Sequence, residues 1–124
     1  MRGISYWFFL SAALYVAAGM IFGLYMAISH DHTLSPAHGH LNLVGWVTMA
    51  IFGIFYHLVP HAAQGMLPRV HFVLATVGLW LMVPGIALAI RGTTEALAAL
   101  GSIATFVSMV LFLVVVVRSH RRVV

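Results

Sequence analysis

The hydrophobic positions of the chain form four long apolar runs, and few polar residues interrupt them. A membrane-spanning helix needs about 20 mainly apolar residues. The runs that meet this requirement are residues 4–28, 40–59, 70–90 and 96–117. Proline, glycine, serine and threonine, which favour turns, stand in the breaks between the runs. We therefore predict an all-α membrane protein, with residues 1–124 forming one four-transmembrane-helix bundle.

The composition supports this class. Hydrophobic residues make up 63% of the chain and charged residues 6%, whereas soluble domains have roughly 25% charged residues. The first run is too long and too aromatic for a signal peptide, so we expect it to be retained as a span. The lipid bilayer is then the main environment of the protein.

All six basic residues are arginines, and their positions predict the orientation of the bundle. With four spans, Arg91 falls on one side of the membrane, and the other five fall on the opposite side. Those five are Arg2, Arg69, Arg118, Arg121 and Arg122. The positive-inside rule places the larger group, and with it both termini, in the cytoplasm. We expect a multi-pass protein of a bacterial-type inner membrane, whose positive charge reflects topology and not nucleic-acid binding.

Candidate chemistry lies mainly in the eight histidines, because the chain has no cysteine. The absence of cysteine excludes disulfides, iron–sulfur clusters and covalently attached c-type haem. Imidazole is the commonest metal ligand, and an ionisable side chain within a membrane is a functional candidate by default.

The pair His38 and His40 stands at the start of the second apolar run. Two helical positions separate side chains by ~200° around the axis, so one metal ion cannot bind both. Gly45 follows His38 by seven residues on the same face, where a missing side chain leaves room for a flat ring system. Asn42 could donate a supporting hydrogen bond from a different face. We predict that His38 and His40 serve two cofactors, or a ligand and a structural partner.

Three more histidines lie near the opposite ends of the second and third runs. His57 and His61 are four residues apart and would share a helical face, with His71 close to the same membrane surface. Three imidazoles there could hold copper or zinc, or one could cap a haem. Pro60, however, favours a helix that ends before His61, so we rank structural or interfacial roles higher for this group.

His30, Asp31 and His32 form a polar segment just before the His38 pair. Together with His38 and His40 they could bind copper or zinc. The alternative is a solvated loop, which is the usual state of such segments.

Two further features concern helix packing. Gly19 and Gly23 form a small-residue motif that suits either self-association or packing within one protomer. Pro84 has no N–H for the carbonyl of Trp80, and we expect it to kink the third helix.

The second and third runs also resemble a known family. His38-Gly39-His40-Leu41-Asn42-Leu43-Val44-Gly45-Trp46, then Phe52-Gly53-Ile54-Phe55-Tyr56-His57-Leu58-Val59-Pro60, is similar to a helix of the haem-copper oxidase catalytic subunit. The C-type oxidases and their nitric oxide reductase relatives are the most similar branch. The segment His71-Phe72-Val73-Leu74-Ala75-Thr76-Val77-Gly78 resembles the helix that follows, so the likeness covers residues 38 to about 90. It implies that His38 is the proximal ligand of a high-spin haem and that His40 is an axial ligand of a low-spin haem.

The chain departs from that family in ways that restrict the implied function. It has four spans instead of the larger number in the family, so it is at most a truncated relative. It also lacks the helices that carry the copper-binding histidines and the second axial histidine of the low-spin haem. A complete oxygen-reducing centre is therefore not encoded, and an enzymatic activity does not follow from the resemblance.

These observations lead to one favoured function and two alternatives. We expect a small haem b protein for electron transfer or diatomic gas binding, which works with a respiratory-chain redox partner. A second copy in a homo-oligomer could supply the missing axial ligand, as could Met20, Met26 or His30. The alternatives are a histidine-based copper or zinc protein and a cofactor-free assembly partner of a respiratory complex.

Overall fold

The computed structural model describes residues 1–123, with the backbone alone for residues 121–123. Its four long helices are α1 (Gly3–Ser29), α2 (Ser35–Leu58), α3 (Met66–Ile90) and α4 (Ala96–Val123). A short 3-10 helix, Pro60–Ala63, joins α2 to α3. Val124 and the side chains of Arg121 and Arg122, which entered the predictions above, lie outside the described part.

Each of the four predicted runs corresponds to one long helix, and every helix extends beyond its run at one end or both. The difference that concerns the histidines is the start of α2, which begins at Ser35 and not at residue 40. Pro36 stands in its first turn, where a missing N–H costs nothing because the first helical donors have no acceptor within the helix. His38 and His40 therefore lie inside the helix and not at its first residue.

The middle of α2 is not α-helical. Residues Leu41–Thr48 form a π-helix between the α-helical segments Ser35–His40 and Met49–Leu58. The Thr48 hydroxyl donates to the Leu43 carbonyl at 2.9 Å, five residues earlier. This segment was not predicted, because its apolar composition is the same as that of an ordinary spanning helix.

Small residues allow the helices to pack closely in two antiparallel pairs. In the α1–α2 pair, Gly19 lies against the Asn42 side chain, and Gly23 lies against the His38 ring. Both glycines of the α1 motif therefore pack within one protomer. In the α3–α4 pair, Gly101 lies against the backbone of Met82.

An aromatic cluster near the chain termini joins all four helices. Phe8 of α1 is stacked on Tyr56 of α2, with 5.6 Å between ring centroids. His71 of α3 lies among these rings and is fully buried. Phe112 of α4 completes the cluster, 4.5 Å from the ring of Phe52.

All four helices are long and apolar enough to cross a membrane. Large apolar side chains cover much of the outer surface, and Ile28, Ile21 and Leu58 are each more than two-thirds exposed. Such a surface suits lipid and not water. The described chain is thus an all-α, four-helix structure that is compatible with a multi-pass membrane protein.

Candidate functional site around His40

His40 projects from the second turn of α2 to the outside of the bundle. Its Nδ1 lies 2.7 Å from the Pro36 carbonyl oxygen, one turn earlier. A carbonyl oxygen can only accept, so Nδ1 carries the proton and Nε2 keeps a free lone pair. No hydrogen bond reaches Nε2 from the residues that the structure describes.

An apolar surface continues from His40 along the same side of α2. We call it the His40 face; its members are His40, Leu43, Val47, Ile51, Ile54 and Leu58. The aliphatic members are between 43% and 71% exposed. An imidazole with an open Nε2 therefore stands at one end of a surface that otherwise offers only hydrocarbon contacts.

His38 points in a different direction, as the two-residue spacing predicts. Its Nε2 donates to the Gly19 carbonyl oxygen at 3.0 Å, and its ring meets Phe22 edge to face, with 5.6 Å between centroids. The Asn42 amide nitrogen is 3.1 Å from the same Nε2. His38 thus lies in the seam between α1 and α2, and its Nε2 is already engaged.

Asn42 and Gly45 also lie in contacts between helices. The side-chain oxygen of Asn42 is buried, with no hydrogen-bond partner among the described residues. A Cβ atom added to Gly45 would lie 3.0 Å from Tyr15 Cβ and 3.3 Å from Leu79 Cδ2. The room that we predicted here for a flat ring system is filled by α1 and α3, because a glycine lets neighbouring helices approach.

The loop before α2 does not gather its polar residues into a metal site. Asp31 accepts hydrogen bonds from the Thr33 hydroxyl at 2.6 Å and from the Thr33 N–H at 3.0 Å. These bonds hold the pKa of Asp31 below its ordinary value. Across residues 1–123, no three histidine, aspartate or glutamate side chains are grouped as a metal site. The predicted copper or zinc ligands His30 and His32 therefore do not join His38 and His40 here.

The three histidines near the other end of α2 also separate. His57 is exposed, and α2 ends at Leu58, as Pro60 indicated. His61 lies in the 3-10 helix and donates from Nε2 to the Ser119 carbonyl oxygen at 3.2 Å. His71 points into the aromatic cluster, so the three imidazoles do not share a ligand position.

Tyr56 was missed as a partner of His71. Its hydroxyl lies 2.9 Å from His71 Nδ1, and both side chains are almost completely buried. Within the described chain, Nε2 of His71 has no hydrogen-bond partner. The pair links α2 to α3 inside the core. The two residues are fifteen positions apart with a helix break between them, so no periodic pattern in the sequence indicates the contact.

No family model, no curated protein and no solved structure matches the chain. The resemblance to the haem-copper oxidase family therefore rests on the quoted residues alone and stays a prediction.

Proposed function

We propose that the chain is a small integral membrane protein that binds haem b through His40. The supporting observation is the His40 ring itself, which is held at Nδ1 by a backbone carbonyl and open at Nε2. Metal-ligating histidines commonly donate their other ring N–H to a carbonyl or carboxylate, which fixes the tautomer and the ring orientation. The open Nε2 atom, and the hydrogen bond that holds the ring at Nδ1, therefore fit an axial ligand of haem iron.

The surroundings of His40 also favour an apolar partner. The ring lies five residues after the start of α2, or roughly 7 Å along the helix axis. An unpaired imidazole facing lipid is costly, and a ligand at Nε2 removes that cost. The aliphatic side chains of the His40 face match the apolar faces of a porphyrin.

His38 is not part of this proposal, although the resemblance implies a haem ligand there. Its Nε2 bonds to the Gly19 carbonyl oxygen, and its ring packs against Phe22. To ligate iron through Nε2, the ring would have to leave the seam between α1 and α2. We give His38 a positioning role, because it holds the outer end of α2 against α1.

A second copy of the chain is the proposed source of the other axial ligand. Met26 is buried in the bundle, whereas Met20 and His30 are exposed on α1 and at its end. Two copies related by a two-fold axis would offer two equivalent His40 side chains. When bound between them, haem b would supply a one-electron carrier, and at a five-coordinate iron it would supply a site for a diatomic gas.

Electron transfer would require a redox partner in the same membrane. The arginine distribution supports a cytoplasmic location for both termini. Under this orientation His40 lies near the outer surface, so we propose that the respiratory partner docks at the end of the bundle where the α1–α2 loop lies.

The test is a haem titration of matched histidine variants. We would express the chain with haem supplied, purify it in mild detergent, and measure haem by the pyridine-haemochrome assay and by oxidised and reduced spectra. His40→Ala should lose most of the haem, whereas His57→Ala, an exposed histidine at the other end of α2, should keep it. Sharp reduced α and β bands indicate two axial ligands, and a carbon monoxide shift indicates an open iron.

Other outcomes distinguish the alternatives. Full haem content in His40→Ala would remove His40 as the ligand. Wild-type protein without haem, despite supply, would contradict the whole proposal. Copper or zinc found by metal analysis in that sample would favour a metal-binding protein, and metal-free protein would favour a cofactor-free assembly partner.

A further inference from the structure

A second candidate site lies between α1 and α3, near the middle of both helices. A groove of about 420 Å³ lies there, within the ~300–1,000 Å³ typical of small-molecule sites. Leu14 and Tyr15 line it from α1, and Trp80 and Pro84 line it from α3. Leu79, which is almost fully buried, forms its floor.

The groove is apolar apart from a few hydrogen-bonding groups, and one of these is a free donor. The Trp80 indole N–H donates to the Tyr15 hydroxyl oxygen at 3.1 Å. This bond uses the hydroxyl as an acceptor only. Among the described residues, no acceptor takes the proton of the Tyr15 hydroxyl.

The backbone carbonyl of Trp80 lacks its regular helical donor. In a regular helix the carbonyl of Trp80 would accept from the N–H of residue 84, but that residue is Pro84 and has no N–H. Trp80 and Pro84 both line the groove. The Tyr15 hydroxyl and this carbonyl are thus the two polar groups that a ligand in the groove could use, in a region that hydrocarbon would otherwise surround, where unpaired polar groups are costly.

We infer that this groove binds an apolar molecule headed by a phenolic ring, such as an alkylated hydroquinone. One ring hydroxyl can accept from the Tyr15 hydroxyl and donate to the Trp80 carbonyl oxygen. The Trp80 indole is 64% exposed and provides a flat surface for the ring. Leu14, 61% exposed, also lines the groove and can contact the apolar tail. A plain acyl chain would leave both polar groups unpaired, and for this reason we reject it as the occupant.

The inference does not depend on haem binding, since none of its residues belongs to the His40 face. The test uses the full chain in phosphatidylcholine nanodiscs. Decyl hydroquinone is titrated and the dissociation constant is measured by equilibrium dialysis, with tryptophan quenching as a second readout. Saturable binding is expected, and the dimethyl ether of the same probe, which cannot donate, should bind about threefold to tenfold more weakly.

Two variants test the two hydrogen bonds separately. Tyr15→Phe removes the donor and should weaken binding by about threefold to tenfold. Pro84→Ala returns an N–H to the Trp80 carbonyl and should weaken binding to a similar extent, although the helix itself becomes more regular. Tyr25→Phe is the matched control, because Tyr25 is an exposed tyrosine on α1 that does not line the groove.

Each other result would overturn the inference. Equal affinity for the hydroquinone and its ether would contradict the role of the hydroxyl. Wild-type affinity in both Tyr15→Phe and Pro84→Ala would contradict the assigned partners, and helical circular dichroism would confirm that each variant is folded. Absence of saturable binding would indicate that lipid acyl chains fill the groove and that it is not a hydroquinone site. Preference for a saturated sterol alcohol would show that the hydroxyl, and not an aromatic ring, is recognised.

Discussion

Gly101→Ala tests the close packing of α3 on α4. A Cβ atom at residue 101 would lie 2.6 Å from Met82 Cα and 2.8 Å from Met82 Cβ. Non-bonded carbons prefer about 3.5–4.0 Å, so the two helices would have to separate by about 1 Å. A gap of that size removes a quarter to a half of the attraction at each neighbouring contact.

The expected change in stability is the difference between two opposing terms. Overpacking of this kind costs about 1–3 kcal/mol, whereas replacing a helical glycine by alanine contributes about 0.5–1 kcal/mol. We therefore expect Gly101→Ala to lower the free energy of unfolding by about 1–2 kcal/mol. Gly39→Ala is the control, because no atom lies within 4 Å of its added Cβ, and it should raise stability by about 0.5–1 kcal/mol.

The assay is equilibrium unfolding in mixed micelles with an increasing fraction of sodium dodecyl sulfate, followed by tryptophan fluorescence. The two variants should shift the midpoint in opposite directions. If Gly101→Ala were stabilised as much as Gly39→Ala, α3 and α4 would not approach as closely as described, and the reasoning would be refuted.

Two further predictions concern hydrogen bonds. A double-mutant cycle of Tyr56→Phe and His71→Leu should give a coupling of about 1 kcal/mol, since losing one partner leaves the other unpaired in the core; additive effects would contradict the bond. Thr33→Ala should raise the pKa of Asp31 toward its ordinary value, because the hydroxyl bond that holds this pKa down is removed. A carboxyl-carbon NMR titration measures the change, and an unchanged pKa would mean that the backbone N–H of Thr33 alone sets it.

The four helices could be predicted because the length and hydropathy of a segment are enough to identify it as membrane-spanning. Every backbone group in lipid must be satisfied within the helix, so length and hydropathy alone locate the runs. The start of α2 was placed late, because Pro36 suggested a turn although proline also fits the first turn of a helix. The end at Leu58 was indicated correctly by Pro60.

The surroundings of the histidines could be predicted only in part. Helical periodicity correctly separates His38 from His40, but it does not show which of them faces α1. His38 faces α1 because its Nε2 bonds to the Gly19 carbonyl oxygen, and the two groups meet only when α1 and α2 are in contact. For the same reason Gly45 was assigned to a cofactor surface, although it lies against Tyr15 and Leu79. Contacts between helices are not visible in the spacing along one helix.

The π-helix Leu41–Thr48 bears on how the chain tolerates changes in length. A π-turn closes its hydrogen bond one residue later than an α-turn, so this stretch holds a residue more than an α-helix that presents the same faces. Deleting one residue there should convert it to α-helix while His40 and Tyr56 keep their directions. The same deletion in the middle of α3 would turn all later residues by about 100° and remove Gly85 from α4. A one-residue deletion is thus absorbed beside the His40 face, whereas in the middle of α3 it disrupts the close packing on α4.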